Sequence, residues 1–173
     1  MLSKLYSKRL HFINTDLEMV DKIIEGRKML ADFLKVNVSE EWDEFETAPY
    51  HYVRDRLKIN PDEAPWWMWL AVLQEENLLI GQCGYKGPPK DGMVEFGYAV
   101  VPAYRGIGLA TEIAAVLIDH AFSFPEITHV IAHTLAEENA SVKILRKCGL
   151  QFVSEINDPE DGLIWQWGLE KEL

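Results

Sequence analysis

The chain has 173 residues, enough to bury one substantial core and too few for two ordinary domains, so a single domain over residues 1–173 is expected. A formal net charge of −11 argues against a nucleic-acid surface, which needs clustered Lys and Arg, and leaves cationic substrates open. Cys83 and Cys148 have no second Cys or His at ligand spacing, so neither a disulfide framework nor a metal is expected. No apolar run has the length of a signal-peptide core or a membrane span, which predicts a cytoplasmic protein with no membrane partner.

In chain order, residues 10–15 read as a first strand. Asp16 then caps a helix to about Gly26, with Leu17, Val20, Ile23 and Ile24 on one face. A second helical pattern starts at Ser39 and runs through Trp42, Phe45, Tyr52, Val53 and Leu57, interrupted at Pro49. From Trp66 the texture changes to three successive strands, WWMWLAVLQ, LLIGQCGYKG and MVEFGYAVV, bounded by Gly, Pro, Asn and Asp. After Pro102 the helical period returns along Leu109, Ile113, Val116 and Leu117, continued by His120 or Phe124. A strand at 129–134, a helix at 137–147 ended by Gly149, and the strands LQFVSEI and LIWQWGL complete an α+β chain with an antiparallel sheet centre.

The strongest local signal is VEFGYAVVPAYRGIGLATEIAAVLIDHAF, where a strand feeds a Gly-containing turn that opens into an amphipathic helix. Backbone N–H groups at a helix start lack internal partners, and the helix dipole adds positive character, so a pyrophosphate is stabilised there. Gly106 and Gly108 remove side chains that would keep a ligand off the backbone, and Arg105 can bind a phosphate oxygen or brace the loop. A Walker loop is excluded because no Gly-Lys-Ser/Thr follows. A dinucleotide fingerprint is disfavoured because Thr111 stands where its third Gly belongs and the preceding strands read as hairpins.

Arg105-Gly106-Ile107-Gly108-Leu109-Ala110, with the lead-in from Val100 to Tyr104, resembles the acetyl-CoA loop of the GNAT acetyltransferases. Asn139-Ala140-Ser141 followed by Leu145-Arg146-Lys147-Cys148-Gly149-Leu150 resembles the downstream helix of that family, and GQCGY and VEFGY resemble the sheet centre of its RimJ/RimL-like branch. The resemblance implies a GNAT fold: a mostly antiparallel twisted sheet of about six to seven strands with about four helices, splayed between the fourth and fifth strands beside a bulge. It further implies that acetyl-CoA is the co-substrate, that residues 105–110 hold its pyrophosphate, and that Val100 N–H holds the thioester carbonyl. Asn139 would bind the pantetheine arm, and the acetyl group would pass directly to a primary amine, either a protein N-terminus or a small molecule. Exposed edge strands of such sheets often make dimers in this family, so the resemblance leaves a homodimer open.

Amide formation needs a neutral amine, so a base must take a proton, directly or through water. The resemblance makes Glu95 the candidate, since it precedes Phe96-Gly97-Tyr98 on the strand leading to the loop, where acyltransferases of this superfamily often place a base; its plainer alternative is a solvated or salt-bridged strand residue, and His133 ranks second. Many superfamily members carry a Tyr acid where this chain has Leu145, which shifts proton donation to Ser141, a residue equally suited to capping a helix. Cys148 reads as a small buried hydrophobe rather than a nucleophile. Trp42, Phe45, Tyr50, Tyr52, Trp66, Trp67 and Trp69, interleaved with Glu40, Glu41, Asp43, Glu44 and Glu46, could form a pocket for a cationic amine or be core and solvated helix face. The competing function is a module that binds or senses acyl-CoA with little catalysis.

Overall fold

A computed structural model describes residues 4–172. The chain starts with β1 (Lys4–Tyr6) and β2 (Leu10–Asn14), then α1 (Leu17–Glu25), whose N-terminus is capped by the Asp16 carboxylate accepting from Met19 N–H at 2.9 Å. Gly26 ends α1, but α2 (Arg27–Leu34) starts immediately after it and buries Leu30. The expected elements do not include this second helix, although Met29, Leu30, Phe33 and Leu34 recur at helical spacing and Leu34 packs on the core beside Leu30.

After β3 (Asn37–Val38), Ser39 caps only a short 3-10 turn, Glu40–Glu44. The long helix expected from Ser39 is instead α3 (Ala48–Ile59). Pro49 lies in its first turn, where no donor is needed, so the proline starts this helix rather than interrupting it. β4 (Met68–Leu73), β5 (Leu78–Tyr85) and β6 (Met93–Val100) form an antiparallel meander, and α4 (Leu109–Phe122) follows. β7 (His129–Leu135), α5 (Ala140–Lys147), β8 (Gln151–Asp158) and β9 (Gly162–Glu170) complete the chain. α5 begins three residues later than expected, because Asn139 adopts the extended N-cap conformation and accepts from Val142 N–H at 3.0 Å.

The sheet runs β1-β2-β4-β5-β6-β7-β9-β8, with β3 paired to β5, so it holds nine strands against the six to seven expected, the short β1 and β3 being additions to the seven read along the chain. Side chains alternate across it. Trp69, Cys83, Tyr85, Phe96 and Tyr98 share the face covered by α4, where Tyr85 Oη donates to Leu117 O at 2.7 Å. Gln82, Gly84, Gly97 and Glu95 share the opposite face, toward α3. The core is continuous across both layers and includes Trp69, Phe12, Leu70, Leu109, Ile113 and Leu117, all essentially without exposure.

Candidate active site

β6 and β7 run parallel and pair only at Met93↔His129, Val94↔Val130 and Glu95↔Ile131; beyond Glu95 they diverge. Glu95 O and Val101 N–H both bond toward β5, the first to Lys86 N–H and the second to Ile80 O. Main-chain groups alternate sides along a strand, so Tyr98 and Val100 direct their N–H groups into the gap. The splay implied by the resemblance is therefore present between the fourth and fifth of the strands read from the sequence. The bulge is not: the β5–β6 register runs unbroken from Gly81↔Val100 to Tyr85↔Phe96, and the amides are freed by divergence alone.

Behind the gap lies a cleft of about 570 Å³ between β6, the loop before α4, and α5. Gly106 and Gly108 adopt φ of 76° and 87°, left-handed values that turn the chain so that α4 opens at Leu109 with its first amides free. A Cβ on Gly106 would meet nothing within 4 Å. Arg105 Nε donates to Val100 O at 2.8 Å, bracing the loop against the gap, and Arg105, Lys143 and Lys147 all line the cleft. Three cations around one cleft, in a chain of net charge −11, suit an elongated anion with several phosphates.

Arg9, which sequence reasoning missed, holds the loop from behind. Its Nη1 donates to Ile107 O at 2.9 Å and its Nε pairs with Glu112 Oε1 at 2.6 Å, while Ser7 Oγ donates to Glu112 Oε2 at 2.7 Å. Burial alone would raise the Glu112 carboxyl, but the hydrogen bonds from Ser7 and Arg9 and the charge of Arg9 outweigh it and hold the group below its ordinary 4.5.

Of the residues expected to bind the coenzyme, Val100, Arg105, Gly106, Gly108 and Ala110 line the cleft, as does Ser141. The side chains of Ile107 and Leu109 do not, the first being exposed and the second 1% exposed in the core, so they can offer only main-chain groups. Asn139 also stands outside the lining, and its Oδ1 is committed to the helix cap. Leu145 is buried at 1% exposure, and burial raises the Cys148 thiol, which fits the inert role read for it. Tyr98, Tyr104, Thr111, Lys143 and Lys147 also line the cleft without having been assigned a role in it; the spacing of the two lysines, one helical turn apart, was the available signal.

On the α3 face, Glu95 Oε1 receives both His133 Nδ1 and Lys86 Nζ at 2.7 Å, so the two candidate bases form one cluster. A cleft of about 300 Å³ lies beside it, floored by Gln82, Gly84, Gly97 and Ala99 and walled by Pro49, Val53 and Trp67, with Lys86 at its edge. Of the aromatic cluster proposed as an acceptor pocket, Trp67 lines this cleft; Trp42 and Trp69 are buried, and Trp66 packs against Tyr85 and Phe124. The acids of residues 40–46 do not line it: Glu41 accepts from Ala103 N–H and Asp43 pairs with Arg27. For these residues the plainer reading, core aromatics and a solvated acidic turn, describes the structure.

A split sheet with free amides in the gap, continued by a cationic cleft at a helix start, is an arrangement suited to a long phosphorylated ligand whose end would reach the gap. Residues 11–151 match the family described as Acetyltransferase (GNAT) domain, and the chain belongs to that family. It is 28% identical over 149 residues to the uncharacterized N-acetyltransferase YjdG of Bacillus subtilis (strain 168), covering 84% of this chain and 88% of the relative. Similar folds include the ribosomal L7/L12 alpha-N-protein acetyltransferase RimL in complex with coenzyme A (TM-score 0.71, 12% identity, 97% and 98% of the two chains). A spermidine N-acetyltransferase SpeG chimera from Vibrio cholerae and hSSAT is also similar (0.68, 12%, 94% and 96%).

Proposed function

We propose that the protein transfers an acetyl group from acetyl-CoA to a primary amine by direct attack. The observation that carries this reading is the cleft that joins the 105–110 loop to the gap beyond Glu95, with Arg105, Lys143 and Lys147 around it. The residues present fit the coenzyme: free α4 amides, Gly106 and the three cations would hold its phosphates, and Val100 N–H would meet the carbonyl. Bound there, acetyl-CoA supplies the activated acyl group as a thioester. Val100 N–H then stabilises the negative charge developing on the carbonyl oxygen, and Ser141 Oγ donates to the departing sulfur.

Glu95 acts as the base at a distance. Five residues of extended strand separate it from Val100, about 17 Å at ~3.3 Å per residue, too far for direct contact with an amine at the carbonyl. It therefore takes the proton through water along the α3 face, with Lys86 and His133 holding its carboxylate in place. The acceptor enters the cleft floored by Gln82 and Gly97. That lining carries a cation and no carboxylate, which favours an amine with an uncharged body, a protein N-terminus or small molecule, over a polyamine. RimL, whose fold is similar, is named for acetylating a protein N-terminus, and we assign this chain to the same RimJ/RimL-like branch. Free Cys83 and Cys148 suit a reducing cytoplasm, and no helix among the described residues is long and apolar enough to cross a membrane. The free edge strand β8, with Phe152 and Val153 exposed, is the surface proposed for homodimer pairing, to be checked by sedimentation of the wild type against Phe152→Glu.

The test is incubation with acetyl-CoA and a panel of peptide N-termini and small amines, following thiol release and acetylated product. Turnover with at least one neutral-bodied amine is expected. Coenzyme binding without turnover across the panel would favour the sensing module, and no binding would overturn the assignment of the cleft.

A further inference from the structure

Among the described residues, the buried side-chain polar atoms left without a hydrogen-bond partner include Tyr98 Oη, and Tyr98 lines the coenzyme cleft. A buried hydroxyl left unpaired is destabilising, which points to a working state in which it has a partner. Tyr98 stands two residues before Val100, on the face toward α5. Its hydroxyl lies close enough to Ser141 to be perturbed by it, yet no hydrogen bond of acceptable geometry joins them. Ser141 is the second residue of α5 and lines the same cleft; Leu145, one turn on, has no proton to offer. A serine hydroxyl rotates about its Cβ–Oγ bond, and a donor on one of its lone pairs restricts that rotation and biases its own proton toward the remaining directions.

We propose that Tyr98 is a positioning residue for acetyl transfer: its hydroxyl donates to Ser141 Oγ and so turns the Ser141 proton toward the sulfur of the departing coenzyme. The inference rests on the acetyl-CoA reading above. As the carbon–sulfur bond breaks, the bonding pair goes to sulfur, the two hydroxyls share their hydrogen bonds along the chain, and the proton that finally neutralises the thiolate comes from solvent. Neither hydroxyl gives up its proton, so none has to be restored. Burial pushes the Tyr98 phenol up to about 12, and it stays protonated as a donor throughout the working range. Successive hydrogen bonds polarise one another, so the pair is a better donor to an anion than Ser141 alone.

The test is the ionisation of the thiol of free coenzyme A bound to the protein, followed by thiolate absorbance with desulfo-coenzyme A as the blank; it needs no acceptor and no turnover. In the wild type the bound thiol ionises at lower pH than in water. Tyr98→Phe keeps the ring and melts no lower, because the lost hydroxyl has no partner, but its bound thiol ionises about tenfold less readily, one pKa unit. Ser141→Ala loses the whole effect, and adding Tyr98→Phe to it changes nothing further. A wild-type titration in Tyr98→Phe, or an equal loss on top of Ser141→Ala, overturns the relay. Failure of the wild type to bind coenzyme A overturns instead the acetyl-CoA reading on which it rests.

Discussion

Arg9→Ala tests how the phosphate loop is held. The wild-type side chain donates to Ile107 O and to Glu112, joining the turn before β2 to the loop and to the first turn of α4. The Arg9 side chain is 36% exposed, so the ion pair must be discounted for solvent screening. With the hydrogen bond to Ile107 included, we expect a loss of about 1–2 kcal/mol, since Ser7 still partners Glu112. At about 2–4 °C per kcal/mol for a chain of this size, the melting temperature falls by roughly 2–8 °C. The coenzyme is expected to bind about tenfold more weakly, about 1.4 kcal/mol, because Ile107 O is no longer fixed and the neighbouring amides lose their common direction.

The pH dependence supplies the sign. Glu112 is held below its ordinary 4.5, so its stabilising contribution is present in full above that value and is lost as pH falls through the lower, folded-state value. The melting gap between wild type and Arg9→Ala is thus full at neutral pH and narrows in the acid range below 4.5, to the part carried by the Arg9–Ile107 hydrogen bond, which does not titrate. Calorimetric melts across that range and titration calorimetry with coenzyme A at neutral pH read both effects. Equal melting temperatures with equal affinities, or a gap of constant size from neutral pH into acid, would refute the reasoning.

Gly106→Asn tolerates the left-handed backbone but puts an amide side chain into the open space of the cleft; coenzyme affinity should drop at least about tenfold, with a melting temperature within about 2 °C of wild type. Glu95→Gln should leave coenzyme affinity unchanged and lower turnover by about 100-fold, most severely at low pH where neutral amine is scarce; steady-state rates at wild-type level would remove Glu95 from the mechanism. Asn139→Ala removes the α5 cap and should cost about 1 kcal/mol, read in a thermal melt. If Asn139 also contacts the coenzyme, affinity falls by more than that loss of stability explains.

The loop, the helix it opens and the strand before it were legible in the sequence because their signals are local. Gly106 and Gly108 supply left-handed φ, the apolar stripe of α4 has the helical period, and Asp16 caps within its own first turn. The same reasoning misjudged Pro49 and the start of α5, where a proline and an asparagine can each serve an interior or a terminus and only neighbouring packing selects one. What tertiary structure alone decided is every partnership that crosses the chain. Arg9 meets Ile107 from 98 residues away, Glu95 meets His133 from 38, and Tyr98 is brought beside Ser141. These pairings follow from strand order and register, which the sheet fixes by long-range pairing of β2 with β4 and of β6 with β7. Local periodicity says which face a residue takes, but not which distant residue will stand across from it.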